Sequence, residues 1–504
     1  VSALDQIFPT DAKSRLIFDV PAGAYCNSGA NCGNGQSQAL GVTLSGSASI
    51  RVDEGHTLGF IGPGHANTIT VNLGTNTLTK VGGGILYFSS KAQTTMSGSG
   101  TFCVAEGEVN VVWQEDKDKK TTTAGIQGGS SVLETLEGGT IVFPANGAFK
   151  TIKNNGTIKV ITNGHDLSLT GTYQGDGEVI KQGSYSAWVP MNNGCKSVYT
   201  VEAGRLTVNT RTTVSGNPYA FNTEENPKAN QRIVVLPGAS YDLNGIIDFT
   251  PHVVVNGRLR EDYPALTNRS GTDIDQGKAQ VPQITVASEA WVGGLTKSHG
   301  LLAPGYKATL LELGTNTMHI CCGTNTVNFW MVNTTVTGSG SVKVDQGVLY
   351  FHNTATTGKD WTLEVGPDGT ANLQAACGVS NLVYRGAVVG PGSITATGTY
   401  LPASETLPKV VLTGTGAGID VSERETAWDM NASGQLTFGV GTKVAVRTGE
   451  RALKAGDQLI AWTGIPANVV DWTLDSPAYA NKLKLSVRSD GVFVVPTAFA
   501  IFLR

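Results

Sequence analysis

Apolar and polar residues alternate with a period of two along most of this chain. "GTIKVITNG" (156–164), "GRLTVNT" (204–210), "SGSASIRVDEG" (45–55) and "GSVKVDQGVLYFHN" (340–353) each set apolar side chains against Thr, Ser or charge. That is the period of a strand buried on one face. Gly, Asn and Asp interrupt the alternation about every 8–12 residues, the spacing of turns between short strands. Helical periodicity is nearly absent, and its best fragment, around "PAYANKLK" (477–484), is short. The pattern predicts an all-β chain.

The alternation also repeats. "LTKVGGGILYF" (78–88) returns as "VIKQGSYSAWV" (179–189), and each is followed by a closing phrase, "VAEGEVNV" (104–111) or "VEAGRLTV" (201–208). "LGTNT" stands at 73–77 and at 313–317. With that offset held, "SGSG" (97–100) falls on "TGSG" (337–340), Val104 on Val344 and Gly107 on Gly347. The unit is G-x-G-x-V, a strand, then V-x-x-G-x-L-x-V. Glycine turns the chain where a side chain would clash or φ must be positive, and one such arc cannot bury its apolar face alone.

Stacked arcs can, so the predicted fold is a parallel β-helix or β-solenoid of irregular, Gly-punctuated rungs with a small C-terminal β module. Rungs of about 20–25 residues at about 4.8 Å spacing give a rod on the order of 80–100 Å long. Two or three β-sandwich domains would alternate similarly, but irregular spacing and many glycines suit rungs better. The expected organisation is an N-terminal cap segment (1–40), solenoid repeats (41–434) with insertions at 217–232 and 258–278, and a C-terminal β module (435–504). Gly82, Gly107, Gly183, Gly204 and Gly347 are expected at rung corners. Lys80 and Lys181 recur within the unit, which points to a structural role capping a rung.

Composition narrows the function classes. The 504 residues include 64 Gly and only 15% charged side chains, with 36 Lys and Arg against 40 Asp and Glu. A net charge of −4 is too weak to capture nucleic acid or an anionic membrane. No apolar run approaches the roughly 18–20 residues that span a bilayer. "VSALDQIF" lacks the basic start and apolar core of a signal peptide, so the chain reads as a processed mature form, extracellular or at the cell surface. Of seven cysteines, Cys26 and Cys32 bracket "CNSGANC", a loop a disulfide would close in an exported protein. Cys321 and Cys322 are adjacent, Cys103, Cys195 and Cys377 are scattered, and no CxxC pair suggests a zinc or redox site. An odd count leaves at least one thiol free or intermolecular.

The repeated phrase resembles the autotransporter-associated β-strand repeat of Gram-negative secreted surface proteins. That repeat runs L-x-K-x-G-x-G-x-L-x-L, a polar turn, then V-x-x-G-x-L-x-V. Leu78, Lys80, Gly82, Gly84 and Leu86 match its first part, and Val104, Gly107, Val109 and Val111 its second. Val179, Lys181, Gly183, Val201, Gly204, Leu206 and Val208 match in the next copy. The copy at 318–351 departs, carrying His319 to Cys322 where the Lys and first Gly would stand. Residues 453–495 look like the closing β module of such proteins. The resemblance covers about a third of the chain and implies a β-helical exported protein with no shared catalytic residues. The sequence departs from that family in showing no membrane β-barrel translocator after the repeats, so the expectation is that it was removed or that export uses another route.

No GxSxG, HExxH, P-loop or EF-hand stands in the chain. "GTGAGID" (414–420) reads as a turn, and His56 and His65 flank another. The insertions at 217–232 and 258–278 flank one compact β stretch, where repeat proteins place function. Arg258, Arg260, Asp273, Asp275 and Lys278 are the residues a polysaccharide lyase or hydrolase would use, carboxylates for acid–base work and cations for developing charge. Sugar stacking on Tyr219, Phe221 or Tyr263 is a further reading. These are alternatives to the leading expectation of a structural or adhesive surface protein, not an enzyme, needing no metal or cofactor, with surface glycans as possible ligands. The C-terminus "GVFVVPTAFAIFLR" (491–504) is apolar on both faces, and Phe499, Ile501 and Leu503 are expected to join subunits head to tail as a homopolymer.

Overall fold

The computed structural model describes residues 25–26, 41–44, 46–55, 57–61, 69–89, 93–112, 125–162, 164–192, 195–212, 232–244, 252–269, 280–295, 297–301, 308–322, 328–352, 360–389, 393–402, 409–430 and 436–497. They form an all-β parallel β-solenoid, with β-strands in short runs and one 3-10 turn at Pro477–Tyr479 where the helical fragment was expected. The chain divides into two compact units, Val1–Leu266 and Thr267–Arg504.

In the first unit, successive rungs stack in parallel register. Thr57–Ile61, Ile85–Ser89, Gly107–Val112, Gly139–Phe143, Thr157–Ile161 and Glu178–Gln182 follow one another along one face. Alternation sends every second side chain inward, and stacking then aligns like positions. Leu78, Phe102, Leu133, Ile152 and Tyr173 are successive register partners, and all are buried. Each such side chain contributes about 1.5–3 kcal/mol of burial, so the apolar column supplies the cohesion a single arc lacks.

The second unit continues the same logic. Gln283–Gly294 pairs with Thr309–Gly314 and Thr317–Cys321, then Ser341–His352, Thr362–Leu373, Asn381–Tyr384 and Thr399–Pro402 follow. Gly418–Asp420, Thr442–Arg447 and Val469–Asp475 complete the series. A four-stranded parallel sheet runs beside it: Cys377–Val379, Ser393–Ala396, Lys409–Leu412 and Leu436–Phe438. Near the C-terminus the pairing changes sense. Gly491–Pro496 is antiparallel to both Leu483–Arg488 and Gln458–Ala461.

The sequence offset between the two copies reappears as geometry. Gly74 pairs with Gly98, and Gly314 with Gly338. Gly98 and Gly338 share a φ of +93°, and a Cβ at either would lie 2.3 Å from the carbonyl oxygen of its partner glycine. Asn76 and Asn316 each donate a side-chain N–H to a carbonyl one rung back, Leu44 and Val286 respectively.

Candidate functional site

Of the corner glycines, Gly82 and Gly183 stand just past strand ends, Gly107 and Gly204 at strand starts and Gly347 within the strand Ser341–His352, with φ of +81°, +79°, +64°, +68° and +86° respectively. The two lysines of the repeated phrase point into these corners and are fully buried. Lys181 Nζ donates to the carbonyls of Gln182 (2.9 Å), Gly183 (2.7 Å) and, on the next rung, Ala203 (2.8 Å). Lys80 Nζ donates to Gly82 O and to Glu106 O at 2.8 Å. In both copies the acceptor on the following rung, Ala203 or Glu106, is the residue just before the next corner glycine. An ammonium carries three donors and no acceptor, so carbonyls crowded at a tight corner suit it. Burial still opposes its charge: it pulls Lys181 down to about 7 against Asp166, and Lys80 down to about 8 against Glu106 and Glu108.

In the copy that lacks the lysine, Ile320 takes the Lys80 position and Cys322 takes that of Gly82. A Cβ on Gly347 would meet the Cys322 Cβ at 2.4 Å. Cys322 is buried, and burial pushes its thiol up to about 11, which keeps it an inert packing group. Cys103, Cys195, Cys321 and Cys377 are also free thiols. Cys26 lies in strand Tyr25–Cys26, while Cys32, and so the expected disulfide, falls outside the described residues.

The same departing copy places an ionic cluster on the outside of the second unit. His319 Nδ1 lies 2.6 Å from Asp345 and Nε2 lies 2.9 Å from Glu289. Its ring stacks on Trp291, its register neighbour, with centroids 4.5 Å apart. Burial works against the imidazolium, the two carboxylates outweigh it, and His319 titrates above its ordinary value. The charges continue in alternating sign through Lys343 (3.7 Å from Asp345), Glu364 (3.6 Å from Lys343), Arg385 (2.9 Å from Glu364) and Glu423. Glu289, His319 and Asp345 lie 30 and 26 residues apart. Only the rung period brings them together, and the lost Lys and Gly of the motif were the one sign of a changed role.

In the first unit, the strand His252–Arg260 turns back antiparallel onto Tyr263–Pro264. Arg260 donates to Asp262 at 2.7 Å and lies 5.6 Å over the Tyr263 ring. Arg258 reaches the Glu261 carbonyl at 3.4 Å. Tyr263 is buried, and its hydroxyl accepts from Arg205 Nη1 at 3.0 Å. Arg205 in turn lies 3.9 Å from Asp242 and 5.9 Å from the Trp188 ring centroid. Arg205 was passed over in sequence because it stands inside the repeated phrase, directly after Gly204. Asp273, Asp275, Lys278, Tyr219 and Phe221 lie outside the described residues, as do Phe499, Ile501 and Leu503.

Among the described residues, no group of three or more His, Cys, Asp or Glu side chains is placed to hold a metal ion, and no helix is long and apolar enough to cross a membrane. No family model, curated protein or solved structure matches this chain.

Proposed function

We propose that this chain is an extracellular structural or adhesive protein of the bacterial surface, of the autotransporter-repeat type, whose subunits join end to end. The observation that carries this reading is the lysine clamp. At Lys80 and Lys181 a buried ammonium ties the carbonyls of one corner to the rung after it. These two buried cations thus hold rung to rung, as a scaffold requires.

A second observation supports assembly. Among the described residues, strand Val469–Asp475 has one ladder partner, Thr442–Arg447, and Val470 on it is 63% exposed. A parallel stack that stops there leaves N–H and C=O groups along its outer edge, and a strand from another subunit would pair them.

A carbohydrate-active reading is favoured by one arrangement at the start of the 258–278 insertion, where the Tyr263 hydroxyl accepts from Arg205 and Arg260 lies over the Tyr263 ring. A screen for turnover of plant, algal and host polysaccharides separates the two. The structural reading predicts none. Turnover that disappears in Asp273→Ala with Asp275→Ala overturns it.

A further inference from the structure

The strand Ser341–His352 turns a corner at Gly347, and its outward side chains change character there. Before the corner they are Lys343 and Asp345, members of the ionic series. After it they are Val348, Tyr350 and His352. The register partners of this second half are equally uncharged. Gly300 pairs with Trp330, Trp330 with Tyr350, and Tyr350 with Asn372. The inward residues between them, Phe329, Leu349 and Phe351, are fully buried, so Trp330 and Tyr350 face outward and are half-buried.

The rings form a continuous platform. Trp330 and Tyr350 have centroids 4.4 Å apart at 33°, and His352 stacks on Tyr350 at 5.9 Å. Both described ring contacts of Trp330 lie on the following rung. On the preceding rung its register partner is Gly300, which carries no side chain. At the far end, Asn372 and Gln374 offer amides, with Gln374 Nε2 donating to Asn372 Oδ1 at 2.7 Å. From Gly300 to Asn372 is three rung steps, about 14 Å.

We infer that this strip is a binding site for a neutral glycan chain. A half-buried, outward-facing indole beside a glycine suits the apolar C–H face of a pyranose ring, and amides in the same line suit its hydroxyls. The lack of formally charged Asp, Glu, Lys or Arg along the strip, one corner away from a dense ionic series, selects a neutral ligand over an acidic one. The inference deepens the adhesive reading by naming what would be held. It does not depend on assembly, because a monomer carries the whole strip.

The test is affinity electrophoresis of the full chain in gels containing mixed-linkage β-glucan, arabinoxylan or galactomannan, with polygalacturonate and alginate as acidic comparisons. Retardation by at least one neutral polymer is expected, unchanged at 0.5 M NaCl. It should weaken about tenfold in Trp330→Ala, the loss of one stacking partner, and stay within about threefold in Trp330→Phe. Circular dichroism and thermal melting check that each variant is folded. Four results overturn the inference: no retardation by any neutral polymer, retention only on the acidic polymers, full binding by folded Trp330→Ala, or a concentration-dependent dimer that Trp330→Ala abolishes, which would make the strip an interface between copies.

Discussion

Lys181 and Ala203 belong to successive rungs, and the Nζ of the first lies 2.8 Å from the carbonyl oxygen of the second. The same ammonium also serves Gln182 and Gly183. Replacing Lys181 by Met keeps the aliphatic stem and takes the donor from the Gly183 and Ala203 carbonyls, while Gln182 O keeps the backbone N–H and hydroxyl of Thr162. The expected loss is about 2–4 kcal/mol, measured by urea denaturation. Lys181→Met as stable as the parent chain would show that the clamp holds nothing.

The clamp also carries a pH signature. Lys181 is held at about 7 in the folded chain, against an ordinary value of 10.5. Between those values the unfolded chain binds more protons than the folded one, so the Lys181 contribution to stability rises with pH through that window and is flat below it. Melting temperature should therefore climb more steeply between pH 7 and pH 9 in the parent chain than in Lys181→Met. Equal slopes would contradict this.

Glycine substitutions separate backbone strain from crowding. At Gly55, with φ of +78°, an added Cβ meets nothing within 4 Å. At Gly107, with φ of +64°, it would lie 2.5 Å from Gly82 O, 2.6 Å from Gly84 O and 2.6 Å from Lys80 Nζ. Gly55→Ala should cost about 1 kcal/mol and Gly107→Val about 3 kcal/mol or more, by denaturant midpoints at constant slope. Similar losses at both sites would show that the Lys80 corner is not tightly built.

His319 behaves in the opposite sense to Lys181. Its folded titration lies above the ordinary 6.5, so its contribution is fully present below that value and is lost as pH rises through the folded one. His319→Asn should therefore destabilise the chain more at pH 6 than at pH 9. Nuclear magnetic resonance titration of the His319 ring gives the direct check, and a midpoint below 6.5 would refute the bracket of Asp345 and Glu289.

The rung phrase was readable in sequence because Lys80 and Lys181 recur at fixed distances from glycine and from a period-two strand. The parallel solenoid followed from that, since one face was apolar in each copy. The ionic series was not readable. Apart from Lys343 and Asp345, which share one strand, its members come from separate rungs, and spacing along the chain carries no contact information until the rung length at that point is known. The aromatic strip escaped for the same reason: Gly300, Trp330, Tyr350 and Asn372 are neighbours only through register. Arg258, Arg260 and Tyr263 were placed by their insertion, but Arg205, which donates to the Tyr263 hydroxyl, lies 58 residues earlier, in a strand whose pattern announced only structure.

Removing residues 498–504 tests the proposed end-to-end joining most directly. The cut leaves the Gly491–Pro496 strand and its pairing with Leu483–Arg488 in place, so the closing hairpin survives. Multi-angle light scattering and negative-stain microscopy should show full-length chain as extended polymers whose length grows with concentration, and the shortened chain as uniform monomers. A uniform monomer for both chains would contradict the account and leave the apolar terminal segment as a cap within one subunit.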